Sequence, residues 1–220
     1  MEEDKKISTA VIKRLPRYYR YLGYLIDNDI KKTSSKELAS MMNITASQIR
    51  QDLNNFGCFG QQGYGYDIVS LYEEIKRILG IDHVHNMVLI GAGNIGQALA
   101  NFTNFEKRGF SITAIFDKSP HIIGTTIQDK QVLDISALPD YLATNHVDIA
   151  VIAVPKDNAH QIAMILANHN IKGIWNFSNI EIDLSEQGIV VENTQLTDSL
   201  MTLSYKLNEK MIIENLRSPK

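Results

Sequence analysis

The stretch from Val88 to Gly96, Val-Leu-Ile-Gly-Ala-Gly-Asn-Ile-Gly, narrows the fold of this chain more than any other. The apolar run before it reads as a buried strand, the glycines follow at G-x-G-x-x-G spacing, and Ala98 and Leu99 continue as a helix. Each glycine has its own task. Gly91 makes a tight turn, Gly93 lets backbone approach a pyrophosphate, and Gly96 lets helix pack on strand. The start of the helix adds an attraction for the anion. These residues, with Ala92, Asn94 and Ile95 between them, imply a phosphate-binding strand-turn-helix.

From Met87 onward, strand and helix patterns alternate. Strands are expected at 87–90, 111–116, 131–133, 148–154, 173–177 and 188–191, and helices at 94–107, 136–144 and 158–168. This is the order of a parallel, doubly wound α/β sheet, a Rossmann domain over 87–193. Its second strand ends at Asp117, 26 residues after Gly91, where an acid binds the adenosine ribose. A carboxylate there repels a 2′-phosphate and favours NADH and NAD+ over their phosphorylated forms, and Lys118 softens that preference. Val154, Pro155 and Asn176 end two further strands at the carboxyl edge, where such sheets bind ligands, and are expected on the nicotinamide side.

Residues 1–80 read as a winged helix-turn-helix. Pro16 suits the first turn of a helix, on which Tyr18 or Tyr19, Leu22, Leu25 and Ile26 recur at helical spacing, ending near Asn28. Ser34 with Glu37, and Thr45 with Gln48, form two capping boxes opening short helices. Ser47, Arg50 and Gln51 face outward from the second, opposite Ile49 and Leu53. Glycines 60, 63 and 65 among aromatic residues read as a wing with Gly63 and Tyr64 near its tip. Leu71, Ile75, Ile78 and Leu79 mark a connecting helix ending at Gly80, and 82–86 is the expected boundary. Charge divides along the same line. Residues 1–66 carry ten basic against seven acidic side chains and 67–220 twelve against eighteen, as expected if only the head meets phosphates.

Several function classes fall away. The apolar runs are far shorter than the ~20 residues that span a bilayer, and no apolar signal core follows the charged start. A cytoplasmic chain with no membrane contact is expected. Cys58 is alone, and His83 with His85 lacks further ligands, so neither a disulfide nor a metal site is expected. An enzyme acting on 2-hydroxy acids needs an acid/base and usually an arginine clamp, yet no arginine lies between Gly109 and Leu216. An oxidoreductase reading would fall back on Lys156 or His160. A final helix, 196–213, places Leu200, Leu203, Leu207 and Met211 on one stripe that needs another surface to cover it.

Together, Arg14 to Arg20, Ser34-Ser35, Arg50 with Asp52-Leu53, Phe56-Gly57 through Tyr66, the glycine fingerprint, Phe116-Asp117, Val154-Pro155 and Gly173 to Phe177 resemble the Rex family of redox-sensing repressors along the whole chain. The resemblance implies a homodimer on double-stranded operator DNA whose C-terminal helix crosses to its partner, with DNA released when NADH binds. It adds Arg14, Ser34 and Ser35 to the DNA contacts, and Arg20, Gln195 and Leu196 to the dimer contacts. In three places this chain departs from the family's habit. Gln51 stands for a lysine, Gln61 and Gln62 for basic wing residues, and Gln195 for an aspartate facing Arg20. Fewer cations mean weaker and less salt-dependent DNA binding, while a glutamine can still read adenine. A paralogue with weakened DNA binding is the corresponding second reading.

Overall fold

Ser8 opens the first helix by accepting the Val11 N–H, and in this computed structural model α1 runs Thr9–Asp27. Residues 7–56 and 65–217 are described. Pro16, expected in the first turn, lies in the middle of α1. The Ser8 cap starts the helix earlier, and burial of Leu15, Tyr18, Tyr19, Leu22 and Leu25 outweighs the ~3 kcal/mol that an internal proline costs. After β1 (Lys32–Thr33), α2 (Ser35–Met42) opens on the complete Ser34/Glu37 capping box and ends at Asn43, whose φ of 53° turns the chain. Thr45 caps α3 (Ala46–Asn54), but only half of the second box forms: the Gln48 side chain donates to Asp52 instead of reaching back. β2 (Tyr66–Asp67) pairs antiparallel with β1, and there Gly65 is needed, since a Cβ would stand 2.5 Å from the Thr33 carbonyl oxygen. α4 (Ile68–Ile78), capped by Asp67, completes a core that includes Leu38, Met42, Ile49, Leu53, Leu71 and Ile75. Gly63 and Tyr64, expected near a wing tip, lie with Cys58, Gln61 and Gln62 outside the described residues.

Contacts divide the chain into Met1–His83 and Val84–Lys220. The second unit runs β3 (His85–Ile90), α5 (Asn94–Ala100), β4 (Phe110–Asp117), β5 (Thr126–Ile127), β6 (Lys130–Asp134), α6 (Leu138–Thr144), β7 (Ile149–Ile152), α7 (Lys156–Ala167), β8 (Gly173–Asn176), β9 (Val190–Asn193) and α8 (Leu196–Arg217). Its strand order is β5-β6-β4-β3-β7-β8-β9, parallel except for the β5–β6 edge pair. Without β5 this is the 3-2-1-4-5-6 order of dinucleotide-binding sheets, reversing beside β3. The helix expected to reach residue 107 stops at Ala100, because Phe105 packs edge-on against Trp175 with ring centroids 5.7 Å apart, and Gly109 at φ 80° turns the chain into β4. Every described side chain of α8 from Leu196 to Ile213 is exposed. Leu196, Leu200, Leu203, Leu207 and Met211 share one face at 3.6-residue spacing, while Met201, Tyr205 and Ile212 form another. The single stripe expected is thus two apolar faces.

Candidate functional site

The end of β3 and the turn behind it are shaped by glycine. Gly91 has φ 100°, and a Cβ there would meet the Ala153 carbonyl oxygen at 2.5 Å, so β3 and β7 close around a residue without a side chain. Gly96 is tighter, since a Cβ would lie 1.8 Å from the Gly91 carbonyl oxygen. Gly93 is the opposite case. Nothing lies within 4 Å of its absent Cβ, its φ of −73° suits any residue, and it borders a cleft of about 740 Å³. The two outer glycines serve packing, and the middle one leaves room for a ligand.

Asp117 stands at the end of β4 in the same cleft, its Oδ2 accepting the Ala92 N–H at 2.6 Å and its Oδ1 the Ser119 N–H at 2.8 Å. These bonds hold the glycine turn and leave each oxygen a further lone pair for a hydroxyl. Lys118 donates to Asn158 Oδ1 at 3.0 Å, across to the first turn of α7. Val154 and Pro155 also line the cleft. Asn94 and Ile95 are exposed at the start of α5 but do not line it, and Ala92 and Gly96 are buried in the turn. Asn176 corrects an expectation. It is 1% exposed, donates to Ile180 O and Asn193 Oδ1, and accepts from the Ser178 N–H and hydroxyl, so no side-chain valence is left for a nicotinamide. The apolar wall of Ile122, Ile135, Pro139, Ile162 and Ile165, with Asn158 and Gln161, was missed. Its signal was positional, for these residues follow strand ends or lie on α7 at the carboxyl edge.

In the head, Ser47, Arg50 and Gln51 are exposed on α3, while Ile49 and Leu53 are buried. The Arg50 guanidinium donates to the Ser35 hydroxyl at 3.0 Å, and Ser34 is occupied as the α2 cap. Arg14, expected on DNA, is turned inward: Nε and Nη2 donate to the two oxygens of Asp52 at 2.6 and 2.8 Å. Burial raises the Asp52 pKa, but hydrogen bonds from Arg14, Gln48 and Tyr18 outweigh it and hold the carboxyl below its ordinary value. A depressed pKa contributes stability above the unfolded value of ~3.9, and that contribution is lost as pH falls through the folded value. Melting temperature is therefore expected to drop below about pH 4, and Asp52→Asn to flatten that acid limb. An unaltered limb in the variant would show that other carboxylates carry it.

Among the described residues no group of three or more His, Cys, Asp or Glu is placed to hold a metal, and no helix is long and apolar enough to cross a membrane. Lys156 and His160 are both exposed on α7.

A dinucleotide-type cleft and a pair of short helices joined by a tight turn, on one chain, define the class of nucleotide-responsive helix-turn-helix regulators. Residues 82–180 match the family described as "CoA binding domain" and residues 6–54 the one described as "Putative DNA-binding protein N-terminus". The chain is 51% identical over 217 residues to the redox-sensing transcriptional repressor Rex of Thermoanaerobacter pseudethanolicus, with 99% of this chain and 96% of that protein covered. The crystal structure of RSP in complex with β-NADH superposes with a TM-score of 0.88 at 47% identity, covering 97% of this chain and 100% of that one. RSP in complex with β-NAD+ and operator DNA does so with a TM-score of 0.88 at 50% identity, covering 97% and 98%. The chain belongs to the Rex family of redox-sensing transcriptional repressors. A regulator rather than an enzyme agrees with the missing arginine clamp.

Proposed function

We propose that this chain represses transcription by holding operator DNA with its N-terminal unit and releases it when NADH fills the cleft of its C-terminal unit. The observation that carries this is the open position of Gly93, in a cleft that Asp117 also lines, on the same chain as an α3 that turns Ser47, Arg50 and Gln51 to solvent. Gly91, Gly93 and Asp117 take the adenosine and pyrophosphate, parts that NADH and NAD+ share. Discrimination then falls to the nicotinamide end, where Val154 and Pro155 offer an apolar wall to the less charged reduced ring, and the oxidised cation loses hydration. The relatives' complexes with β-NADH, and with β-NAD+ and operator DNA, support the same assignment of ligands.

The head takes the winged form of the helix-turn-helix, and the antiparallel β1–β2 pair supports this reading. The working unit is a homodimer in which α8 exchanges between protomers, because a helix apolar on two faces needs a surface on each side. Arg20 and Gln195 lie at that interface.

Linkage makes the coupling reciprocal: NADH weakens DNA affinity by the factor by which DNA weakens NADH affinity, with ~1–3 kcal/mol giving about 5–150-fold. Titrating NADH and NAD+ separately into protein bound to fluorescent operator, followed by anisotropy, should give release by NADH at concentrations where NAD+ leaves the complex intact. Equal displacement by both, or by neither, refutes the redox switch.

A further inference from the structure

Two arginines of α1 do not face outward. Asp52 lies on the DNA-reading helix α3 and is 0% exposed. It receives four hydrogen bonds: two from Arg14, one at 2.8 Å from the Tyr18 hydroxyl and one at 2.8 Å from Gln48 Nε2. A carboxylate has about four lone-pair positions, so Asp52 is saturated. Arg17 donates at 2.6 Å to the carbonyl of Met42, the last residue of α2, where a helix leaves its carbonyls without intrahelical partners and favours a cation. Helix α1 therefore grips both halves of the helix pair from the inner side. It holds α3 through Asp52 and α2 through Met42.

We propose that Arg14 and Arg17 are positioning residues for operator recognition rather than phosphate contacts. The Arg14–Asp52 fork fixes the angle at which α3 presents Ser47, Arg50 and Gln51. This rests on the reading that the N-terminal unit binds DNA. Gln51 is the immediate neighbour of Asp52, so a rotation of α3 that breaks the fork also turns the reading face. A bidentate guanidinium–carboxylate pair resists such rotation better than a point contact. Removing one member leaves a buried charge unpaired, whereas replacing both by apolar groups removes the conflict.

The test is operator affinity across a salt series for the parent chain, Arg14→Gln, Arg50→Ala and the double substitution Arg14→Leu with Asp52→Leu. Each phosphate neutralised by a cation adds about 0.9 to the slope of log affinity against log salt. Arg14→Gln is expected to weaken binding roughly tenfold, as for a loosened supporting shell, with the slope of the parent. Arg50→Ala is expected to make the slope shallower. The double variant is expected to recover part of the lost affinity, which a phosphate contact cannot do. Far-ultraviolet circular dichroism and NADH titration check folding, and the double variant, with no buried charge, carries the test if Arg14→Gln does not fold. A shallower slope for Arg14→Gln, or no recovery in a folded double variant, overturns the proposal. Absence of operator binding by the parent overturns the proposed function instead.

Discussion

Gly93→Val is expected to bind neither NADH nor NAD+ at concentrations that saturate the parent, while keeping its fold and its hold on operator DNA. The backbone at Gly93 is in a region any residue adopts and nothing surrounds the missing Cβ, so a valine fits the protein. Its methyl groups then stand in the cleft that the dinucleotide enters. A clash worth about 3 kcal/mol lowers affinity roughly a hundredfold. Calorimetric titration measures the loss, circular dichroism checks the fold, and operator binding should no longer respond to NADH. Near-parental NADH affinity would mean that the ligand does not approach this turn.

Gly96→Ala should do the reverse, damaging the fold before the ligand matters. Its single added methyl meets the Gly91 carbonyl oxygen and carbon, both backbone atoms of a turn also fastened by Asp117 through Ala92. Neither group can rotate away, so α5 must lift from β3 and the turn must open. Costs above ~4 kcal/mol belong to such forced rearrangements, a large share of the 5–15 kcal/mol that holds a typical protein folded. Denaturant unfolding should show the midpoint falling sharply, with Gly93→Ala as the neutral control. A Gly96→Ala midpoint level with that control would sink the packing role.

Those three glycines were legible because turn chemistry and close approach are local properties of a few residues. Periodicity likewise revealed most strands and the inward face of α3. What escaped depends on distance along the chain. Arg14 and Asp52 are 38 residues apart, and nothing in either neighbourhood says that they meet, so Arg14 was placed on DNA by the resemblance alone. Asn176 was placed correctly at a strand end but assigned outward, because its partners Ile180 and Asn193 come from two later segments. The apolar wall of the cleft is assembled from the segments after β4 and β6 and from α7, joined only by the sheet. Pro16 misled for another reason: its local preference for a first turn was overruled by the Ser8 cap and by the buried side chains around it.

The two-faced α8 has a consequence for how this protein's stability is to be understood. Under the proposed exchange, a lone copy keeps Leu200, Leu203 and Leu207 on one side, and Met201 and Tyr205 on the other, in water. Burial of those faces then belongs to association, and folding and pairing become one equilibrium governed by mass action. The abundance of the chain in its cell enters its free energy directly, so a regulator made in few copies would sit nearer its dissociation threshold than the same sequence at the concentrations used to study it.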